Sequence, residues 1–212
     1  MKIVSIMPIK LNNERCPGKN TKLLGDTPLL CHMLNTIMRM NSIQDVYVYC
    51  SDKSICEFLP SGASFLQRPS ELDSPSVGFT QIFDAFRREI PADIYVWALA
   101  TTPFVTLDTA NECVAAVSGG EYDSALCAQR IGHFLWKDGQ PLNFDPTNLP
   151  RTQDLPLVWL EGGSFYVFNR IIFEKYRRRV GPNPYFKEVS LREAVDINTE
   201  EDFRLAEALL HW

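Results

Sequence analysis

"KIVSIMPIKLNNERCPGKN", residues 2–20, joins a short apolar run to a loop crowded with cations and turn-formers. The run is brief and ends at Pro8, so it reads as a buried strand. Beyond it, Lys10, Arg15, Lys19 and then Lys22 fall on one early loop, in a chain whose net charge is −5. A triphosphate, with about four negative charges, needs such cations together with inward-pointing amides. Asn12, Asn13 and Gly18 tolerate positive φ, and Pro17 stiffens the turn between them. On composition alone a solvated basic loop also stands as a reading. No Gly-Lys-Ser/Thr follows a four-residue spacer and no GxGxxG is present, which sets aside the P-loop and the dinucleotide fingerprint.

Strand and helix patterns alternate outward from this stretch. Residues 28–40 place Leu29, Leu30, Met33, Leu34, Ile37 and Met38 on one helical face behind Pro28. "DVYVYC" (45–50) and "ASFLQR" (63–68) read as strands, and residues 77–90 as a helix turning Phe79, Ile82, Phe83, Phe86 and Ile90 inward. "DIYVWALA" (93–100) is apolar throughout, as expected of a central strand covered on both faces. A helix over 106–118 and strands at 123–128 and 164–169 follow, the last leading to a helix with the basic end "KYRRR". Such alternation predicts an α/β domain with a mostly parallel sheet and helices on both faces. Ligands of such sheets sit beyond the carboxyl ends of the strands, where the loop at 8–22 begins.

The 212 residues make one domain, 1–212, interrupted at 129–160 by an irregular arm with four prolines and a Lys-Asp-Gly turn. The acidic balance argues against broad nucleic-acid or anionic-membrane binding. No apolar run is long enough to span a bilayer, and the segment before Pro8 is too short for a signal peptide. The six cysteines show no CxxC, and the three histidines are scattered, so neither a zinc site nor a His-based centre is expected. Buried thiols at Cys50, Cys113 and Cys127 suit a soluble cytoplasmic protein. In "VDINTEEDFRLAEALL", Thr199 reads as the N-cap of a last helix that turns Phe203, Ala206, Leu209 and Leu210 inward.

"PIKLNNERCPGKN…LLGDTPLL", "YVYCSD", "LQRPSEL", "RTQDLP" and "VDINTEEDF" occur in the order found in the acylneuraminate (CMP-sialic acid) cytidylyltransferases. The chain resembles that family, and its CMP-KDO synthetase relatives, over nearly its whole length. The resemblance implies a Rossmann-like nucleotidyltransferase fold with a protruding dimerisation arm, and a homodimer. It implies transfer of CMP from CTP to an acidic, nonulosonic sugar, with release of pyrophosphate and with Mg²⁺. By position it assigns nucleotide contacts to Lys10, Asn13, Arg15, Lys19, Asn20 and Arg68, and sugar contacts to Arg151 and Tyr166. It gives catalytic roles to Lys19 and Asp196, and metal binding to Asp196 and Asn198. Each residue also has a plainer reading: ion pairs for Arg68 and Arg151, a core hydroxyl for Tyr166, a helix start for "DINTEED".

The chain departs from the family pattern at several of these points. Asn198 replaces the second carboxylate of Asp-x-Asp, Glu14 stands where a Lys is usual, Leu99 replaces a Gln, Val105 an Arg, and Glu161-Gly162-Gly163 an Asn-Gly context. These changes mark a divergent branch. Two alternatives stay open: a sugar-1-phosphate nucleotidyltransferase using another triphosphate such as GTP, and a nucleotide- or sugar-binding protein without catalysis.

Overall fold

The structure is a computed structural model and describes residues 1–211. In chain order β1 (Ile3–Ile9) opens into the cationic loop, and β2 (Leu23–Leu24) and β3 (Thr27–Pro28) form a two-rung ladder before α1 (Leu29–Met38). Next come β4 (Asp45–Cys50), β5 (Ser64–Gln67), α2 (Phe79–Glu89), β6 (Ile94–Ala98) and α3 (Leu107–Ser118). β7 (Ser124–Ile131), the small β8 (Trp136–Lys137) and β9 (Gln140–Pro141), and the long β10 (Val158–Asn169) follow. The chain closes with α4 (Arg170–Tyr176), β11 (Pro184–Glu188) and α5 (Glu200–Leu209).

Seven strands form one sheet in the order β11-β7-β10-β6-β1-β4-β5. β10 runs antiparallel to both neighbours, and every other pair is parallel. One face buries Met33, Leu34 and Ile37 of α1 and Ala110, Cys113 and Val114 of α3 against Val48, Val96 and Val167. The other face is aromatic, with Phe83 of α2 within 4.7–5.0 Å of the rings of Tyr95, Phe168 and Phe173. Edge-to-face pairs of this kind add directional preference to apolar burial. Asp84, on the outer side of α2, binds Arg87, Arg88 and Arg177 and so ties α2 to the end of α4.

Several details differ from the pattern reading. β1 continues through Pro8 to Ile9, because pairing with β6 stops at Ile6 and leaves Pro8 one neighbour, where a missing N–H is tolerated. Pro28 takes the N-cap position of α1. The irregular segment is shorter than 129–160, since β7 runs to Ile131 and Val158 of β10 pairs with it. Inside the arm, Asp138 and Gly139, with φ 52° and 77°, close a two-residue hairpin between β8 and β9. α4 ends at Tyr176, with Arg177 in the left-handed region (φ 56°), so the arginines follow the helix and do not belong to it. β11, which the pattern did not suggest, is a five-residue edge strand opened by a proline.

Candidate active site

From β1 the chain winds outward to β4 and β5, then returns to β6 on the other side of β1. The crevice at that switch lies between the carboxyl ends of β1 and β6. A hollow of about 240 Å³ opens there, between Pro8 near the end of β1 and Lys10 just after it, Leu99–Thr101 after β6, and Lys19, Asn20, Asp196 and Asn198. A second hollow, about 250 Å³, shares Lys10, Asn13, Lys19 and Asn198 and adds Arg15. A larger one, about 680 Å³, lies between α1, the start of α3 and residues 190–193. Two acids line that hollow, Asp108 and Glu193, and Glu193 caps α3 structurally: it accepts from Thr106, Thr109 and Ser190. Burial opposes the ionisation of Glu193, but these donors hold its pKa below the ordinary value.

The cationic loop is shaped locally and then pinned. Gly18 (φ 67°) closes a turn in which the Lys19, Thr21 and Lys22 amides bond back to Cys16 and Gly18 carbonyls. Asn12 and Asn13 do not share the left-handed conformation, so Gly18 alone provides it in this loop. Buried Cys16, Leu24 and Leu29 then pack on Ile197, Phe203 and Ala206, which lays the loop across α5. Thr199 caps α5, and Asp202 returns the bond in a capping box. Lys22 is drawn out of the crevice, pairing with Glu200 at 2.8 Å and lying over the Phe203 ring.

Lys19 is buried, at 8% exposure, and its Nζ donates to the Ile197 carbonyl at 2.6 Å. Burial pushes the ammonium's pKa down, with Asp196 opposing that shift. Asn20 is buried too. Its amide donates to the Lys10 carbonyl at 2.8 Å and to Asn13 Oδ1 at 3.4 Å, which closes the loop on itself. Arg15 Nη2 donates to Asn198 Oδ1 at 3.1 Å, and Asn198 Nδ2 donates to Asp196 Oδ2 at 2.9 Å. Asp196 Oδ1 is buried with no hydrogen-bond partner among the described residues. The fold therefore brings together Lys10, Asn13, Arg15, Lys19, Asn20, Asp196 and Asn198. Asp196 Oδ1 is an oxygen suited to a hard cation whose other ligands come from phosphate and water. Among the described residues no three His, Cys, Asp or Glu side chains form a metal cage.

Arg68, Arg151 and Tyr166 line neither hollow. Arg68 is 2% exposed and forms an ion pair with Asp73. Arg151 sits on the arm and forks onto the Asp154 carboxylate at 2.7 and 3.1 Å. Tyr166 is buried in the aromatic face, where its hydroxyl donates to Glu161 and accepts from Arg179, each at 2.9 Å. The Arg179 guanidinium also lies 3.8 Å over the Tyr166 ring. A bulge after Glu161 makes this trio possible, and Gly163 (φ 79°) turns it where a Cβ would meet Cys127 and the Glu193 carbonyl. The Gly-Gly pair was the only sequence signal of that bulge. Nothing in the sequence indicated the bond from the Ile197 amide to the Thr101 carbonyl (2.8 Å) that joins the two walls of the crevice.

A cytidylyltransferase family model matches residues 4–209. The chain belongs to the cytidylyltransferase family. It is 26% identical to an N-acylneuraminate cytidylyltransferase of Oncorhynchus mykiss, with 97% of this chain and 49% of that protein covered. It is 24% identical to a CMP-N,N'-diacetyllegionaminic acid synthase of Legionella pneumophila, covering 99% and 97%. The chain thus spans about half the length of the first curated relatives it matches, but nearly all of the bacterial synthase. In fold it is similar to a solved CMP:2-keto-3-deoxy-manno-octonic acid synthetase complexed with CTP, with a TM-score of 0.74 at 16% identity and coverage of 100% and 99%.

Proposed function

We propose that this cytidylyltransferase-family chain transfers CMP from CTP to the anomeric hydroxyl of an acidic, nonulosonic sugar. The observation that carries this is that one hollow in the switch-point crevice is lined both by a buried lysine, Lys19, held on the Ile197 carbonyl, and by Asp196, whose buried Oδ1 has no hydrogen-bond partner among the described residues. The sugar oxygen attacks the α-phosphorus and loses its proton to solvent. The bond from that phosphorus to the bridging oxygen of the β-phosphate breaks, and pyrophosphate leaves with the electron pair. No protein nucleophile is needed. The chain's work is alignment and charge neutralisation, with Lys10, Arg15 and Lys19 on the phosphates and Asn13 and Asn20 holding the loop that carries them. Magnesium bound through Asp196 Oδ1 would add Lewis-acid charge on the triphosphate.

The sugar contacts fall to Arg151 on the arm and to the Tyr166–Arg179–Glu161 trio, whose guanidinium suits a sugar carboxylate. The arm supports a homodimer in which it reaches a second copy. Trp136 is 60% exposed and Leu142, Leu149 and Leu157 of the same arm are exposed too, whereas Trp159 stacks on Phe186 of its own chain. Six free cysteines, five of them buried, fit a reducing cytoplasm. Asn198, in place of a carboxylate, favours a second reading: a protein that binds nucleotide without turnover.

The test is pyrophosphate release from CTP, GTP, UTP and ATP against acidic sugars and sugar phosphates with Mg²⁺. Release with CTP and a nonulosonic acid is the expected result. Release only with another triphosphate and a sugar phosphate moves the chain to the sugar-1-phosphate alternative, and binding without release moves it to the non-catalytic one.

A further inference from the structure

The amide of Asn198 is bonded on both sides, and chemistry dictates which side is which. A guanidinium only donates and a carboxylate only accepts, so the oxygen must face Arg15 and the nitrogen must face Asp196, as observed. The residue's backbone is held as well: its N–H donates to Asp202 Oδ2 at 3.0 Å, and the preceding carbonyl receives Lys19. An aspartate at 198 could accept from Arg15 but would place a second negative charge against Asp196 Oδ2. An aliphatic side chain would hold neither neighbour.

We infer that Asn198 is a positioning residue that holds Arg15 over the crevice as an uncompensated cation and leaves Asp196 Oδ1 as the carboxylate oxygen facing the triphosphate. A carboxylate at 198 would neutralise Arg15 in an ion pair, whereas a neutral amide orients the guanidinium and leaves its charge available. Arg15 is exposed, and its remaining N–H groups match two phosphate oxygens in a fork. Two departures from the family pattern thereby become one device. The loop carries Glu14 where a Lys is usual, Asp-x-Asp has become Asp196-Ile197-Asn198, and Arg15 bonded to Asn198 restores a positive charge to the crevice. The consequence is a site that takes one divalent cation, with Arg15 doing the work of further positive charge. This inference rests on the reading of the crevice as a triphosphate site.

Its test uses the full chain and calorimetric CTP binding, once with EDTA and once with Mg²⁺, together with Mn²⁺ stoichiometry by electron paramagnetic resonance. Wild type is expected to bind CTP in EDTA and to hold one Mn²⁺ per bound CTP. Arg15→Gln weakens the metal-free binding about tenfold or more, and Arg15→Lys recovers part of that loss. Asn198→Ala weakens it similarly, and the double variant is no worse than either single one, because both act through one contact. Asn198→Asp weakens metal-free binding while tightening Mn²⁺. The inference is overturned if Arg15→Gln binds metal-free CTP like wild type, if the two losses multiply, or if Asn198→Asp binds metal-free CTP unchanged. CTP binding without pyrophosphate release, with Arg15 and Asn198 coupled, upholds the inference and removes only the catalytic reading. A wild type that binds no nucleoside triphosphate overturns both.

Discussion

The crevice loop and the arm both leave the sheet as long irregular segments, yet they are held in opposite ways. The crevice loop is pinned by a core of its own, with Cys16, Leu24 and Leu29 buried on Phe203 and Ala206, and by two buried polar side chains, Lys19 and Asn20. The arm is held mainly by local bonds. The Asn143 side chain joins the His133 carbonyl to the Leu135 amide, Asp145 caps Thr147, and Arg151 forks onto Asp154. Leu155 is buried, but four of its large apolar side chains, Trp136, Leu142, Leu149 and Leu157, remain exposed. A triphosphate site needs its charges placed before the ligand arrives, because reorganisation costs binding free energy. A surface that is completed by another molecule needs no such core.

The largest effect that can break this comparison comes from Phe203. Phe203→Ala is expected to cost about 3–5 kcal/mol of stability in denaturant unfolding and also to weaken CTP binding, since the loop loses its floor. A destabilised variant that still binds CTP with wild-type affinity would show that the loop is not held from below. Lys19→Ala comes next. Loss of a preorganised cation on the transferring phosphate is expected to lower kcat/KM for pyrophosphate release about 100-fold or more. Because burial lowers the Lys19 pKa, the ammonium is lost at a lower pH than for a free lysine. kcat/KM, which reports the free protein, therefore declines on the alkaline side earlier than usual, and Lys19→Arg removes that decline. An alkaline limb unchanged in Lys19→Arg would assign it to another group.

The same contrast explains what the sequence disclosed. β1, β4 and β6 were readable because strands buried on both faces are apolar at nearly every position, and α5 because Thr199 and Asp202 advertise its start. The crevice was readable because its charges cluster within a dozen residues and beside the α5 cap. Arg68 was not, because its burial depends on Asp73, which a short 3-10 turn brings back beside it. Tyr166 was half legible: its strand was evident, but its saturation by Glu161 and Arg179 depends on a bulge that brings three separated residues together. β11 carries a proline and two charges in five residues, as an edge strand can, and so lacked the apolar signature of the others.

A smaller effect tests the outer side of α2, which belongs to neither region. The guanidinium of Arg177 leads, with Arg87, in holding the Asp84 carboxyl well below the usual carboxylate range. A carboxylate with a depressed folded-state pKa contributes stability above its unfolded pKa and loses it as pH falls toward the folded value. Asp84→Asn is therefore expected to cost about 1 kcal/mol near neutrality, with the difference from wild type shrinking below about pH 4. A difference that persists undiminished at low pH would trace the loss to packing and not to charge.

The smallest effect on folding, and the sharpest test of the arm, is Trp136→Ser. Trp136 is 60% exposed and touches the Phe144 ring edge-on, so it contributes little to its own chain's core. Its replacement is expected to change the unfolding free energy by no more than about 0.5 kcal/mol. If the arm docks on a second copy, the same variant shifts the monomer–dimer equilibrium toward monomer in sedimentation velocity across a concentration series. A stable contact needs roughly 800 Å² per partner, and a central tryptophan often dominates such a patch. A wild type that sediments as a monomer throughout, with Trp136→Ser identical to it, would make the exposed apolar side chains an incidental feature of a long loop. A variant that loses several kcal/mol of stability but keeps its oligomeric state would show instead that the arm, like the crevice loop, is part of its own chain's core.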